Sequence, residues 1–117
     1  MIKTFQEIIV WQKAHQLTIE IYDITKTFPK EEKFGLVSQM RRCVVSIPSN
    51  IAEGFKRKSL KDSLHFYNIA ESSLEELKYQ LLLAKDLNYI DEKDYNKLIE
   101  LAEEVGKLLN GWKKSQK

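Results

Sequence analysis

The chain has 117 residues, of which 43% are apolar and 31% charged, and its net charge is +2. That is one domain with a core to bury, and the balance excludes both a disordered chain and a membrane-spanning one. With two prolines and four glycines there are few places for turns, which favours few long elements over many short strands.

The first apolar stripe is Val10, Ala14, Leu17, Ile21, Ile24 and Phe28. Alternating steps of four and three put all six on one face of a helix. Pro29 pushes its predecessor out of the α region, so helix 1 is expected over about 6–27. The second stripe, Val37, Met40, Val44, Ile47, Ile51 and Phe55, predicts helix 2 over about 33–57, with Glu31 and Glu32 near its positive end. Pro48 removes one hydrogen bond and crowds the Val44 carbonyl, which predicts a kinked helix rather than two.

Ser59 with Asp62 reads as a capping box with Asp in place of Glu. Behind it run Leu60, Leu64, Tyr67, Ala70, Leu74, Leu77, Leu81 and Ala84, flanked by a second row of Ile69, Leu83 and Leu87. Helix 3 is therefore expected over about 59–87, roughly 40 Å long. Asp91 is a good N-cap for helix 4, whose stripe is Tyr95, Leu98, Ala102, Val105, Leu109 and Trp112. Gly106, Asn110 and Gly111 predict fraying of its last turns. Four such helices on short links make an all-α, antiparallel up-down-up-down four-helix bundle, a single domain over 1–117 with crossing angles of about 20°.

No apolar run approaches the length of a bilayer crossing, and residues 1–7 lack a signal-peptide core. A lone cysteine, Cys43, forms no internal disulfide, so a soluble cytoplasmic protein is expected. Catalytic and metal motifs are missing. His15 follows Gln12 by three residues and His65 follows Asp62, which falls short of paired Glu-x-x-His ligands from two helices. There is no glycine-rich phosphate loop and no nucleophile elbow. Cys43 beside an apolar stripe behaves as a small hydrophobe. No cofactor and no enzyme activity are expected.

Two features remain. Gln39, Arg42, Ser46, Asn50 and Glu53 recur at three- and four-residue steps and form one polar strip on helix 2, opposite Ser73 and Glu76 on helix 3. It reads either as an internal network that fixes helix register or as a ligand pocket or subunit contact. As a network it requires a partly buried Arg42 paired with Glu76 or, second, Glu53. The other feature is charge. Residues 26–61 carry nine basic and three acidic side chains, and residues 62–105 carry four basic and eleven acidic. Lys56, Arg57, Lys58 and Lys61 cluster at the helix 2–3 junction, with Arg41 and Lys33 further back. Such a cluster neutralises phosphates without reading sequence. Phe55 and Phe66 lie nearby, at spacings that fit the core better than base stacking. Trp11, Tyr22 and Phe34 fall beside or outside the stripes, as aromatics of a contact surface do.

The same residues carry a pattern. It comprises Phe5 to Ala14 with Trp11 and Gln12, Phe34-Gly35-Leu36, and Gln39 with Arg42. It continues through Ser46-Ile47-Pro48-Ser49-Asn50-Ile51-Ala52-Glu53-Gly54, Ala70, Ser73-Leu74 and Glu76-Leu77. This resembles the bacterial four-helix-bundle family first noticed in open reading frames within intervening sequences of 23S ribosomal RNA genes. Ser72 stands where that family often has Gly. The resemblance implies a left-handed bundle and assembly into a homopentameric ring, and it does not imply an enzyme. A related branch is similar to the accessory variability protein of diversity-generating retroelements, which is basic and pentameric and binds nucleic acid and a reverse transcriptase. Two functions are therefore expected to compete. One is a nucleic-acid-binding accessory protein using residues 56–61 on RNA or DNA. The other is an assembly or adaptor protein whose ring face binds another protein.

Overall fold

The computed structural model describes residues 1–116. Four helices carry the fold: α1 (Ile9–Thr25), α2 (Leu36–Lys56), α3 (Leu60–Asp86) and α4 (Glu92–Ser115), with single 3-10 turns at Phe5–Glu7 and Lys30–Glu32. Cross-helix pairs fix the directions. Thr18 meets Val44 while Thr25 meets Arg41, and Ser46 meets Ser73 while Gly54 meets Tyr67. Glu71 meets Lys113 while Leu74 meets Gly106, and Lys13 meets Glu104 while Glu20 meets Lys97. In each pair numbers rise on one helix as they fall on the other, so neighbours are antiparallel. Each helix packs on two others and α4 closes back on α1, giving a bundle 43 × 25 × 19 Å in extent. No helix is long and apolar enough to cross a membrane among the described residues.

The stripes become the core. Ala14, Leu17, Ile21, Met40, Val44, Ile47, Ile51, Leu77, Leu81, Ala102, Val105 and Leu109 are completely or almost completely inaccessible. Helix ends differ from expectation by a few residues, each for a local reason. α1 begins at Ile9 rather than 6, because Glu7 folds its carboxylate back onto the Thr4 and Lys3 amides at 2.9 and 3.0 Å and closes a separate turn. It ends at Thr25, where the Thr25 and Thr27 hydroxyls donate to the Tyr22 and Ile24 carbonyls at 3.2 and 2.8 Å and satisfy groups the helix end leaves free. α2 begins at Leu36, whose amide donates to Glu32 Oε1 at 3.1 Å. Its backbone therefore starts one turn later than 33. α3 is capped as expected by Ser59, whose hydroxyl accepts from the Asp62 amide at 3.1 Å. It stops at Asn88 with φ 63°, the amides of Asn88 and Tyr89 donating back to Lys85 and Ala84 at 2.9 Å. That is a Schellman stop, and Asn tolerates the left-handed conformation it needs. Asp91 caps α4 through the Asp94 amide at 2.7 Å.

α4 does not fray at its glycines; it continues to Ser115. Leu109 is fully buried and Trp112 meets the buried Tyr67 edge-to-face at 6.3 Å, so tertiary packing outweighs the weak propensity of Asn110 and Gly111. α2 runs unbroken through Pro48. The carbonyl that Pro48 leaves without its helical donor belongs to Val44. Thr18 of α1, a buried residue, answers it: its hydroxyl is shared between the Ala14 carbonyl at 2.8 Å and the Val44 carbonyl at 3.3 Å.

Candidate functional site

The α2–α3 pair makes the most extensive helix contact in the bundle, and small residues allow it. A Cβ on Gly54 would lie 2.4 Å from the Tyr67 ring, so only glycine lets α2 pass over that ring. Between the helices Ser46 Oγ and Ser73 Oγ lie 2.9 Å apart. Asn50 Nδ2 donates to the Ser46 carbonyl and hydroxyl at 2.7 and 2.9 Å, and Cys43 Sγ donates to the Ser73 carbonyl at 3.0 Å. Burial, helped by the Glu76 charge, pushes the Cys43 thiol up to about 12, so the thiolate needed for nucleophilic chemistry is absent near neutrality.

Only this half of the polar strip forms a network. Gln39, Arg42, Glu53 and Glu76 are exposed. Arg42 makes no ion pair or side-chain hydrogen bond among the described residues. Its expected carboxylates are engaged elsewhere: Glu76 accepts from Gln80 Nε2 at 3.2 Å, and Glu53 pairs with Arg57 at 2.9 Å. The expected Arg42–Glu76 pairing is therefore corrected. At the outer edge of two helices, long side chains reach water, and hydration removes the need for a partner. Gln80 went unread: it is 4% exposed and its Oε1 has no partner. Its place between Leu77 and Leu81 was the available signal.

At the junction, residues 57–59 turn the chain from α2 into α3. The Gly54 carbonyl accepts from the Arg57 amide at 3.2 Å and from Ser63 Oγ at 2.8 Å. Lys56, Lys58 and Lys61 are exposed and form no ion pair among the described residues. Arg57 is committed: it pairs with Glu53 and stacks over the Phe66 ring at 4.5 Å, with His65 edge-on to that ring at 5.4 Å. Phe55 packs on the core as expected. Phe66 does not; it is half-exposed beneath Arg57, which corrects its assignment to the core. Arg41 also lies elsewhere. It is 15 residues before Lys56, about 22 Å along the helix. Its Nε donates to Thr25 Oγ1 at 2.9 Å, and its guanidinium covers Tyr22 at 4.7 Å.

The aromatics expected at a contact surface divide. Trp11 is half-buried between Phe5 and a stacked His15, both at 5.0 Å. Tyr22 is partly exposed and Phe34 is 89% exposed. Among the described residues no three His, Cys, Asp or Glu side chains come together as metal ligands.

No curated protein matches the chain. In structure it is similar to a crystal structure of a protein with unknown function from the S23 ribosomal protein family of Bacteroides thetaiotaomicron VPI-5482. The TM-score is 0.80 at 27% identity, over 90% of this chain and 98% of that one. The model of the 23S rRNA-intervening sequence protein family matches residues 6–111, nearly the whole bundle with its Ser46–Gly54 segment and its α2–α3 junction, and the chain belongs to that family.

Proposed function

We propose that this is a non-enzymatic cytoplasmic binding protein that self-associates and holds RNA or DNA by its phosphates at the α2–α3 junction. The observation that carries nucleic-acid binding is the trio Lys56, Lys58 and Lys61, exposed and uncompensated within six residues of chain. Free ammonium groups release counterions from a polyanion, whereas a guanidinium already held by Glu53 contributes less. One copy offers few contacts. A ring of five, which the family resemblance implies, repeats the trio and raises affinity through multivalency. Fluorescence anisotropy with single- and double-stranded RNA and DNA tests this. With three phosphates neutralised per copy, log K should fall by about 2–3 per decade of salt. Lys58→Glu with Lys61→Glu should abolish binding and leave helicity unchanged. Binding untouched by that reversal removes the junction from the reading.

A second reading, an assembly or adaptor protein that binds another protein through its ring surface, is favoured by Phe34. An aromatic ring 89% in solvent is what a contact surface presents before its partner arrives. Sedimentation equilibrium decides self-association, and a particle of 13.8 kDa at micromolar concentration refutes it.

A further inference from the structure

The structure carries two unpartnered surfaces on the two sides of α1, opposite in charge. On the α2 side Phe34 projects beside Tyr22, Val37 and Val45, within a cationic rim of Lys33, Arg41 and Arg42. On the α4 side runs a groove made of two adjoining depressions of about 770 and 270 Å³ that share Glu20 and Lys97. Its apolar lining is Ile24, Leu98, Ile99 and Leu101, and its carboxylates include Asp94, Glu100 and Glu103. Two lysines stand among these carboxylates, Lys97, which pairs only with Glu20 at 3.8 Å, and Lys107, which has no ion pair among the described residues, so six carboxylates face two ammonium groups. Asp94, Glu100 and Glu103 have no ion pair among the described residues, and neither do Lys33 and Arg42.

We infer that these are the two halves of one head-to-tail contact: Phe34 of one copy, with Lys33 and Arg42 beside it, seats in the acidic α1–α4 groove of the next. The inference rests on the self-association reading and names its faces. A projecting aromatic gains most by filling a pocket whose rim excludes water. Within one molecule the knob cannot reach its own groove, because α1 stands between them. The occupant is a second copy of this chain, since the chain itself supplies a cationic apolar knob and an anionic apolar groove. Opposite potentials steer that encounter and set its register, while knob against knob and groove against groove repel. Because the two faces differ, the contact is heterologous: every copy uses both, and the assembly closes into a ring or runs on as a filament.

The test is sedimentation of the full chain and four variants, with helicity and thermal unfolding followed alongside. The parent should assemble. Phe34→Ser, Lys33→Glu with Arg42→Glu, and Glu100→Lys with Glu103→Lys should each weaken assembly by on the order of tenfold or more. All change exposed side chains, so each should fold as the parent does. The four charge reversals joined in one chain re-create the complementarity with the signs exchanged, and should restore assembly. A monomeric parent overturns self-association and this inference together. A parent that assembles while the charge variants assemble equally well leaves self-association standing and overturns the face assignment. Failure of the joined variant to recover does the same.

Discussion

Replacing Gly54 by Ala tests the tightest packing around any of the four glycines. The new methyl would sit 2.4 Å from Tyr67 Cε1, 2.9 Å from Cδ1 and 3.0 Å from Cζ, against about 3.5–4.0 Å for unstrained carbon contacts. Tyr67 is 1% exposed and abuts Trp112, so its ring has nowhere to go and the helices must part. Overpacking of this kind costs about 1–3 kcal/mol, while alanine in place of a helical glycine returns about 0.5–1 kcal/mol. The net expectation is a loss of about 1–2 kcal/mol, or a Tm lower by roughly 4–8 °C. Gly111 supplies the control within the same protein: nothing lies within 4 Å of its Cβ position, and neither glycine has a positive φ. Gly111→Ala should therefore stabilise by about 0.5–1 kcal/mol. Urea unfolding of both variants reads the two signs. If Gly54→Ala is as stable as the parent, the approach of α2 to Tyr67 is not as close as described, and the account of Gly54 as a packing glycine fails. Truncating Tyr67 to Leu should remove the Gly54→Ala penalty, which separates a clash from a general intolerance at that position.

Thr18→Val should cost about 1–2 kcal/mol, and less in a Pro48→Ala background, because alanine returns a donor to the Val44 carbonyl. Equal costs in both backgrounds, by a double-mutant cycle in urea, would deny that Thr18 serves the proline. Glu32 accepts from the Tyr89 hydroxyl at 2.7 Å and from the Leu36 amide, and these bonds, that of Tyr89 first, hold its carboxyl below the usual range. A depressed carboxyl pKa contributes stability above its unfolded value of 4.5 and loses it as pH falls through the folded one. Tyr89→Phe should thus flatten the acid limb of a thermal-stability profile, and an unchanged limb would refute the contribution of this bond.

The helices and their core were legible because burial follows period: every residue of the stripe in α1 is inside except Ile24, which is half-buried. The polar strip was legible only as a strip. Short Ser46, Ser73 and Asn50 fit between two close helices and bond there, whereas Arg42 and Gln39 have the reach to leave. Periodicity gives the side of a helix and not the depth at which a long side chain ends. The same limit misplaced Arg41, which shares a charge count with the junction but not its neighbourhood. It also misplaced Phe66, whose ring is covered by an arginine nine residues earlier. Contacts between loops, such as Tyr89 with Glu32 across 57 residues, leave no periodic trace.

The α2–α3 junction is more than a place where charges gather, because it is built rigidly. Gly54 brings α2 against Tyr67, and its own carbonyl then takes the Ser63 hydroxyl and the Arg57 amide. Ser59 caps α3 two residues later, and Arg57 is held between Glu53 and Phe66. Three linking residues with that many bonds have little freedom left, so Lys56, Lys58 and Lys61 project from fixed backbone positions. Ordering a loop on binding costs affinity, and a junction already ordered avoids that cost. The exposed end of α2 also bears the partial negative charge of its last carbonyls, which the lysines themselves offset. On the proposed reading, a phosphate arriving there meets cations whose backbone is fixed; of the two carboxylates nearby, Glu53 is already engaged by Arg57, while Asp62 beside Lys61 is exposed without an ion pair among the described residues. If the junction holds phosphates as proposed, Glu53→Gln frees Arg57 and should strengthen rather than weaken that binding, and a weaker or unchanged affinity by fluorescence anisotropy would refute this account of the pair.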